Sequence, residues 1–324
     1  MNTYNTILSI AATALSLAFF PAAVMAQPSA AAPTVVATTV RHHRIKIDKV
    51  DLFYREAGDP RAPTVLLLHG FPTSSVMFRN LIPALAQEYH VLAPDLPGFG
   101  HTKAPPRAQY SYTFENLAKT VDAFVAAKGI KSYAMYVMDY GAPVGWRLAL
   151  ANPSGVKALV IQNGNAYDEG LMEFWDPFKA YWKDGSDGSR QKLAQFLVLG
   201  ATNWQYTHGQ PNQALISPDA AIVDQYFMDQ GENKDVQLDL FYDYRRNVEL
   251  YPKVQEYFRA SQPPTLIVLG RNDHIFPYQG AEAYRKDLKN LDVEYMDGGH
   301  FVLESHGPQI ARRMTEFLAK SLRP

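Results

Sequence analysis

An aspartate at the end of an apolar run is the first residue in this sequence whose type and setting suggest chemistry. The run at 133–138 (YAMYVM) has the character of a buried strand, and Asp139, Tyr140 and Gly141 follow it directly. In doubly wound parallel sheets, ligands bind at the carboxyl ends of the strands, and a glycine two residues after the aspartate permits a tight turn into a helix. A carboxylate in this place is a nucleophile that needs no base to activate it. We therefore predict that Asp139 is a nucleophile.

Two further polar residues follow later apolar runs and are suited to assist Asp139. Asp273 comes shortly after the run TLIVL at 265–269, and His300 follows a short predicted strand at 293–296. A histidine oriented by a carboxylate is a general base that activates water. The alternative position for the acid, after the predicted strand at 156–161, carries Asn163, which favours Asp273 as the partner of His300.

The elements that would position these residues alternate between strands and helices. Residues 44–54 alternate apolar and polar side chains, which predicts two antiparallel strands with a turn near Asp48. From residue 64 onward, short apolar runs are separated by segments with helical spacing, which indicates a parallel sheet covered on both faces. The predicted strands lie at 64–68, 90–93, 133–138, 156–161, 265–269 and 293–296, and the predicted helices at 75–89, 114–128, 142–151, 281–288 and the C-terminus. The sequence thus predicts an α/β fold with an eight-stranded, mostly parallel sheet.

Residues 165–250 interrupt this alternation. Strand patterns stop here, helical patterns such as 218–229 take over, and aromatic residues become frequent. We predict a helical cap at 165–250, inserted between two parts of a core at 43–164 and 251–324. The apolar, aromatic composition of the cap predicts a small apolar organic substrate.

Five short motifs occur in order, each at the end of a predicted strand. They are HGFP at 69–72, DLPGFG at 95–100, MDYG at 138–141, GRNDHIFP at 270–277 and GGHF at 298–301. Together they resemble the α/β-hydrolases of the epoxide hydrolase and haloalkane dehalogenase branch, and the resemblance covers about 43–322. It implies a covalent aspartyl ester on Asp139, hydrolysed with Asp273 and His300. It also implies an oxyanion hole made by the backbone N–H groups of Phe71 and Tyr140.

The resemblance leaves several substrate classes open. Haloalkane dehalogenases of this branch usually bind the halide with a Trp after the nucleophile and often an Asn after the His-Gly pair, where this chain has Tyr140 and Phe71. Fluoroacetate-type dehalogenases share HGFP but bind the substrate carboxylate with arginines, where this chain has Tyr140 and Pro143. The usual halide ligands and the carboxylate clamp are therefore both missing.

Epoxide hydrolases use cap tyrosines to donate to the ring oxygen, because a phenol with a pKa of about 10 is protonated at neutral pH. Tyr181 in the first cap helix and Tyr244 in a YRRN segment occupy similar places, and Trp182 is a candidate for lining the pocket. Typical epoxide hydrolases, however, also carry Trp where this chain has Tyr140. We predict an epoxide hydrolase that opens an apolar epoxide to a diol, with a haloalkane or haloacid dehalogenase as the alternative. A ligand-binding homologue without turnover is a third alternative, and the intact Asp139, Asp273 and His300 argue against it.

Composition and charge exclude other classes of function. The 324 residues are 47% apolar and 19% charged with a net charge of −1, so no excess of basic residues indicates a nucleic-acid partner. The absence of cysteine rules out disulfides and thiolate chemistry. No spacing of histidines and carboxylates predicts a metal site, and no cofactor is predicted.

The N-terminus predicts export. Residues 7–20 are almost wholly apolar and small residues follow up to Ala26, which is typical of a secretory signal peptide cleaved after Ala26. This run is shorter than the roughly 20 residues of a membrane span, so we predict no stable membrane anchor. Residues 27–42 are rich in Ala, Pro and Thr and predict a flexible leader in a periplasmic or secreted protein.

Overall fold

One mixed sheet of eight strands organises the chain in the computed structural model, which describes residues 38–322. The strand order is β1-β2-β4-β3-β5-β6-β7-β8. Strand β2 pairs antiparallel with β1 and β4, and all other neighbours are parallel. The strands are β1 (Arg41–Ile47), β2 (Val50–Ala57), β3 (Thr64–Leu68), β4 (His90–Pro94), β5 (Tyr133–Met138), β6 (Val156–Gln162), β7 (Thr265–Gly270) and β8 (Leu291–Met296). This architecture confirms the predicted eight-stranded, mostly parallel sheet.

Burial explains the composition of these strands. Every residue of β3, β4, β5 and β7 is buried, as expected for strands covered by helices on both faces. The edge strand β1 instead alternates exposed and more buried residues and turns into β2 at Asp48, whose φ is +49°. The turn therefore lies where the alternating pattern predicted it.

Helices cover both faces of the sheet and create two apolar cores. Helices α2 and α3 contribute to one core, and α1 and α11 contribute to the other. The helices are α1 (Leu81–Leu85), α2 (Phe114–Ala127), α3 (Gly141–Ala151), α4 (Asp176–Asp184), α5 (Asp187–Leu193), α6 (Leu199–Thr207), α7 (Pro218–Met228), α8 (Asn233–Asp243), α9 (Arg245–Ser261), α10 (Tyr278–Ala283) and α11 (Val302–Ser321).

The segment 75–89, predicted as one helix, is broken in the structure. A short 3-10 helix covers Ser75–Phe78, and α1 begins only at Leu81. Pro83 explains the break, because proline has no backbone N–H to bond the carbonyl four residues earlier and is tolerated in the first turn of a helix. Helix α1 therefore begins at Leu81, which places Pro83 in its first turn.

Helices α4 to α9 lie between β6 and β7, in the part of the chain where the sequence predicts the cap. No strand occurs in this part of the described chain. The predicted cap boundary at 250/251 falls inside α9, a continuous helix that runs from the cap back to the core. At the other end of the chain, β1 begins at Arg41, inside the predicted leader 27–42, because its residues pair with β2. The predicted signal peptide lies outside the described residues.

Candidate active site

The turn after β5 presents Asp139 above the carboxyl edge of the sheet. Asp139 has a φ of +48°, a left-handed backbone conformation that is uncommon for a non-glycine residue. Helix α3 begins at Gly141, where an added Cβ would lie 2.2 Å from the carbonyl oxygen of Leu68 on β3. Only glycine therefore allows the helix to start this close to the sheet. A sharp strand-turn-helix of this kind exposes a nucleophile at the top of an α/β-hydrolase sheet.

Two backbone N–H groups bind the carboxylate of Asp139. The N–H of Phe71 donates to Asp139 Oδ1 at 2.6 Å, and the N–H of Tyr140 also hydrogen-bonds this side chain. Gly70 lets the two segments approach, since an added Cβ would lie 2.4 Å from the Cβ of Asp139. The structure thus brings Phe71 and Tyr140 together as donors in the arrangement that the oxyanion prediction requires.

Hydrogen bonds of His69 help to hold the loop that carries Phe71. The Nε2 atom of this buried side chain accepts from the N–H of Leu96 at 2.9 Å, so the proton is on Nδ1, which lies 3.0 Å from the carbonyl oxygen of Gly70. Asp95 accepts at 2.8 Å from the N–H groups of both Ser75 and His101. The HGFP and DLPGFG motifs are therefore one hydrogen-bonded unit that holds a donor of the oxyanion hole.

Asp273 orients His300 from the adjacent strand ends. His300 Nδ1 lies 2.9 Å from Asp273 Oδ2, and both side chains are buried. The other oxygen of Asp273 accepts from the N–H of Ile275 at 2.7 Å. Asn163 Nδ2 also donates to Asp273 Oδ2, at 2.6 Å. Asn163, which the sequence analysis named only because it occupies the alternative position for the acid, therefore holds Asp273 in place. This contact requires β6 and β7 to be neighbours in the sheet, which the sequence alone does not show.

The second ring nitrogen of His300 faces the nucleophile. His300 Nε2 lies 4.0 Å from Asp139 Oδ2 and hydrogen-bonds no residue that the structure describes. The predicted nucleophile, acid and histidine thus converge at one point above the sheet. A base beside the nucleophile is suited to activate a water molecule against an ester formed there.

Burial and charge act in opposite directions on each of the two titrating groups, and the pKa of both groups is raised. Burial raises the pKa of Asp139 to about 6, although the charge of His300 and the N–H bonds of Phe71 and Tyr140 oppose the rise. Burial lowers the pKa of His300, but the charge and hydrogen bond of Asp273 and the charge of Asp139 outweigh it, and the pKa lies above its usual value. At neutral pH the free enzyme therefore holds Asp139 as a carboxylate.

A cavity of about 410 Å³ between core and cap contains Asp139. Its walls are mostly aromatic, and none of the lining residues is a lysine, arginine or histidine. The lining residues are Phe71, Asp139, Tyr140, Phe174, Trp175, Phe178, Gln195, Phe196, Ala201, Trp204, Gln205, Phe241 and Ile275. The volume lies within the range of small-molecule sites, about 300–1,000 Å³.

The structure does not bring Tyr181 to this cavity. The same face of α4 carries Phe178, which lines the cavity, but Tyr181 lies about one turn, roughly 5 Å, further along the helix. There its ring packs against Tyr242 at 4.8 Å between centroids, and Arg190 donates to its hydroxyl at 3.4 Å. Helical spacing correctly places Tyr181 on the same face of α4 as Phe178. The cavity, however, does not extend to the turn of α4 that carries Tyr181.

Tyr244 and Trp182 pack against each other and against Trp175, which lines the cavity. Their rings stack at 5.8 Å, and the hydroxyl of Tyr244 is 3.5 Å from that of Tyr251. The Tyr244 ring packs at 6.0 Å on that of Tyr140. Trp182 donates its indole N–H to the carbonyl oxygen of Phe241 at 2.7 Å. Neither residue is among those that line the cavity.

Three polar cap residues in the lining were missed by the sequence analysis. They are Gln195, Trp204 and Gln205, the last of which is 6% exposed. The segment that carries these residues contains no recognisable motif. Helical spacing alone does not distinguish residues that line a cavity from residues that pack in the core of the cap. In residues 38–322, no group of three or more metal-ligating side chains converges on one point.

The sheet, the turn at Asp139 and the inserted cap together define an α/β-hydrolase, and comparison with known proteins agrees. The alpha/beta hydrolase fold family matches residues 63–307, and the chain belongs to this family. The predicted family and the predicted enzyme are confirmed.

Three relatives refine this assignment. An uncharacterized hydrolase of Saccharomyces cerevisiae is 47% identical over 286 residues, which cover 87% of this chain and 98% of the yeast protein. A haloalkane dehalogenase of Bradyrhizobium diazoefficiens is 37% identical over 131 residues, 40% of this chain and 38% of that protein. Epoxide hydrolase 3 of Mus musculus is 24% identical over 289 residues, 85% of this chain and 75% of the mouse protein. The protein is a hydrolase related to dehalogenases and epoxide hydrolases.

Proposed function

We propose that this protein hydrolyses a small, uncharged, apolar electrophile through a covalent ester on Asp139. The observation that carries the proposal is the setting of the Asp139 carboxylate. It lies in an aromatic cavity, it accepts the N–H of Phe71 at 2.6 Å, and His300 Nε2 is 4.0 Å from its second oxygen. The aromatic walls and the lack of a cationic lining residue favour an uncharged substrate.

The reaction has two half-reactions. In the first, an oxygen of Asp139 attacks carbon and the leaving group departs with the bonding electrons. In the second, His300 takes a proton from water, and the resulting hydroxide adds to the ester carbonyl. The N–H groups of Phe71 and Tyr140 stabilise the oxyanion of the tetrahedral intermediate. As the intermediate collapses, His300 returns its proton to the departing alcohol oxygen, and the carboxylic acid left on Asp139 then loses its proton to restore the carboxylate.

The first candidate for the substrate is an epoxide, and Tyr140 replaces the cap tyrosines as the proton donor. Tyr140 is the only tyrosine among the described lining residues. Burial, together with the charges of Asp139 and Asp243, raises the pKa of its hydroxyl, so the phenol stays protonated at neutral pH. It donates its proton to the ring oxygen as the C–O bond breaks. The proton released after ester hydrolysis restores the phenol.

A haloalkane is the second candidate, and the cap wall favours it. The carboxamides of Gln195 and Gln205 and the indole of Trp204 carry N–H donors in residues that line the cavity. A departing halide accepts hydrogen bonds and needs no proton. The haloalkane dehalogenase of Bradyrhizobium diazoefficiens, 37% identical over part of this chain, adds weight to this candidate.

The His300→Gln variant tests the proposal and separates the two candidates. The variant should form the ester and fail to hydrolyse it, because Asp139 attacks without a base whereas water needs one. Incubation with styrene oxide or 1-bromohexane, followed by peptide mass spectrometry, should find one adduct on the peptide with Asp139. With the wild-type enzyme, release of diol and of bromide is measured side by side. An adduct on another residue, or full turnover by His300→Gln, would contradict the proposal. Bromide release without diol from any epoxide would select the haloalkane.

A further inference from the structure

Part of the cap packs directly against the loops that carry Asp273 and His300. Asn272, beside the catalytic acid, donates its Nδ2 to the carbonyl oxygen of Gly209 at 2.9 Å. At Gly299, beside the catalytic histidine, an added Cβ would lie 2.0 Å from the carbonyl oxygen of His208. The end of α6 and the turn after it are therefore in contact with both catalytic loops.

Tyr206 on α6 contacts the residue that follows the histidine. It is 1% exposed, and its ring lies parallel to that of Phe301, with centroids 3.9 Å apart and an interplanar angle of 15°. Phe301 follows His300 in the chain, and the two rings are perpendicular with centroids 5.2 Å apart. Because two glycines precede His300, local backbone preference does little to fix its orientation. Contacts from outside the loop have to do so, among them the hydrogen bond to Asp273 and the packing of Phe301 on Tyr206.

A buried carboxyl group that the proposed mechanism does not use fixes Tyr206. Asp224 on α7 is 1% exposed, and its Oδ2 accepts from the hydroxyl of Tyr206 at 2.5 Å. Thr73 also hydrogen-bonds this carboxyl group, and its bond and that of Tyr206 oppose the rise in pKa that burial causes. Burial raises the pKa of Asp224 to about 7. A carboxyl group is costly to bury unless it is hydrogen-bonded, so the bond between Asp224 and Tyr206 ties the position of the Tyr206 ring to α7.

We propose that Tyr206 is a positioning residue for His300, acting through the ring of Phe301, and that Asp224 fixes Tyr206 in place. Tyr206 touches neither the substrate nor Asp139, since it is not among the residues that line the cavity. The proposal rests on the proposed function, because it assigns Tyr206 to one of the two half-reactions.

The half-reaction is identified by what His300 does. Attack by Asp139 needs no base, whereas hydrolysis of the ester does. Displacing His300 should therefore slow ester hydrolysis and leave ester formation almost unchanged. A misplacement of about 1 Å in a catalytic group can cost about 10²-fold in rate. Loss of the Tyr206 ring should accordingly slow ester hydrolysis by about tenfold to a hundredfold.

The test compares Tyr206→Leu, which loses the ring, with Tyr206→Phe, which keeps the ring and loses the hydroxyl. Thr202→Val is the matched control. Thr202 lies on the same helix, is fully buried, and donates to Gln225 on α7 at 2.9 Å, so its change removes a second α6–α7 bond without touching Phe301. Each full-length protein is mixed with the substrate found for the wild-type enzyme. Rapid quenching and intact-mass analysis then follow the ester, alongside steady-state kinetics.

In Tyr206→Leu we expect the ester to accumulate, with kcat and KM falling in proportion and kcat/KM nearly constant. Tyr206→Phe should slow ester hydrolysis less than Tyr206→Leu does, because its ring still packs on Phe301 although it has lost the bond to Asp224. Thr202→Val should lower thermal stability without any accumulation of ester. Equal loss of both half-reactions in Tyr206→Leu, or the same accumulation in Thr202→Val, would overturn the inference.

The His300→Gln variant, run in parallel, separates this inference from the proposed function. If His300→Gln traps an ester on Asp139 and Tyr206→Leu does not, the role of Tyr206 is refuted and the function stands. If His300→Gln forms no ester with substrates that the wild-type enzyme turns over, the proposed function itself fails.

Discussion

The charges of Asp139 and His300 link the two proposed half-reactions. In the free enzyme the charge of Asp139 is one of the influences that raise the pKa of His300. Formation of the ester removes that charge, so the pKa of His300 falls. The histidine then loses its proton more readily and becomes a competent base when water must be activated. The nucleophile thus helps to control when the base acts.

The first prediction concerns the pH dependence of ester formation. Asp139 must be ionised to attack, and its pKa is raised to about 6 by burial. The rate of ester formation should therefore fall about tenfold per pH unit below pH 6, rather than below about 4 as for an ordinary aspartate. The charge of His300 lowers the pKa of Asp139, so in His300→Gln the fall should begin at a higher pH. Quench-flow mass spectrometry between pH 4 and 8 measures both profiles, and identical profiles would contradict the coupling.

The second prediction concerns Tyr140 as proton donor to an epoxide. Tyr140→Phe should reduce diol formation by about 10²-fold, by analogy with the loss of one oxyanion donor, while the backbone N–H of Tyr140 remains. Tyr181→Phe is the control. Tyr181 contacts Tyr242 and Arg190 outside the cavity, so its loss should leave the rate within about threefold. Diol is measured by chromatography for both variants. A larger effect of Tyr181→Phe would restore the assignment made from the sequence.

At the scale of elements, the close approach of α3 to β3 determines where the proposed nucleophile, Asp139, lies. The start of α3 is in contact with the backbone of β3 at Leu68, and the turn before it carries Asp139. Hydrogen bonds from Asn163 on the turn after β6 and from Ile275 after β7 then hold Asp273. The site is therefore assembled from the ends of neighbouring strands, and its precision depends on their packing.

The third prediction tests this packing. Gly141→Ala would place a Cβ 2.2 Å from the carbonyl oxygen of Leu68, so the helix must shift away from the sheet. We expect the free energy of unfolding to fall by about 1–3 kcal/mol and ester formation to slow, because Asp139 moves with the helix. Gly200→Ala is the control. Gly200 lies in α6 with no heavy atom within 4 Å of an added Cβ, so this change should be neutral or stabilising. Thermal unfolding and ester formation are measured for both, and equal losses would contradict the prediction.

At the scale of the whole molecule, one sheet separates two apolar cores and gathers Asp139, Asp273 and His300 on a single edge. The cap closes that edge with aromatic side chains such as Trp175, whose indole N–H donates to the carbonyl oxygen of Ile275 at 2.7 Å. A second link is made by Arg107, which binds Asp239 through two hydrogen bonds of 2.6 and 2.8 Å. Cap and core therefore share the walls of the cavity. No helix of the described chain is long and apolar enough to cross a membrane.

The fourth prediction concerns the mature protein. We propose that the protein is exported and cleaved after Ala26, because an apolar run at 7–20 precedes small residues up to Ala26. Intact-mass analysis of protein from a periplasmic fraction should find a chain that begins at Gln27. Ala26→Arg should block cleavage and serves as the control. Detection of the protein only in the cytoplasm with Met1 retained would contradict export.

The sequence by itself determined the sheet and the residues that meet at its carboxyl edge. Buried parallel strands are continuous apolar runs, and the residues after them lie at one edge, so period and chain order were enough to predict that Asp139, Asp273 and His300 meet. The sequence also predicted the role of Gly141, because a tight turn into a helix requires glycine.

Only the tertiary structure decided which side chains of the cap line the cavity. Helical spacing indicates a face but does not specify how far along the helix the cavity extends, which is why Phe178 lines it and Tyr181 does not. The same holds for Asn163, whose contact with Asp273 joins residues 110 positions apart in the chain. Such contacts arise from the packing of elements that are distant in sequence, and no local pattern encodes them.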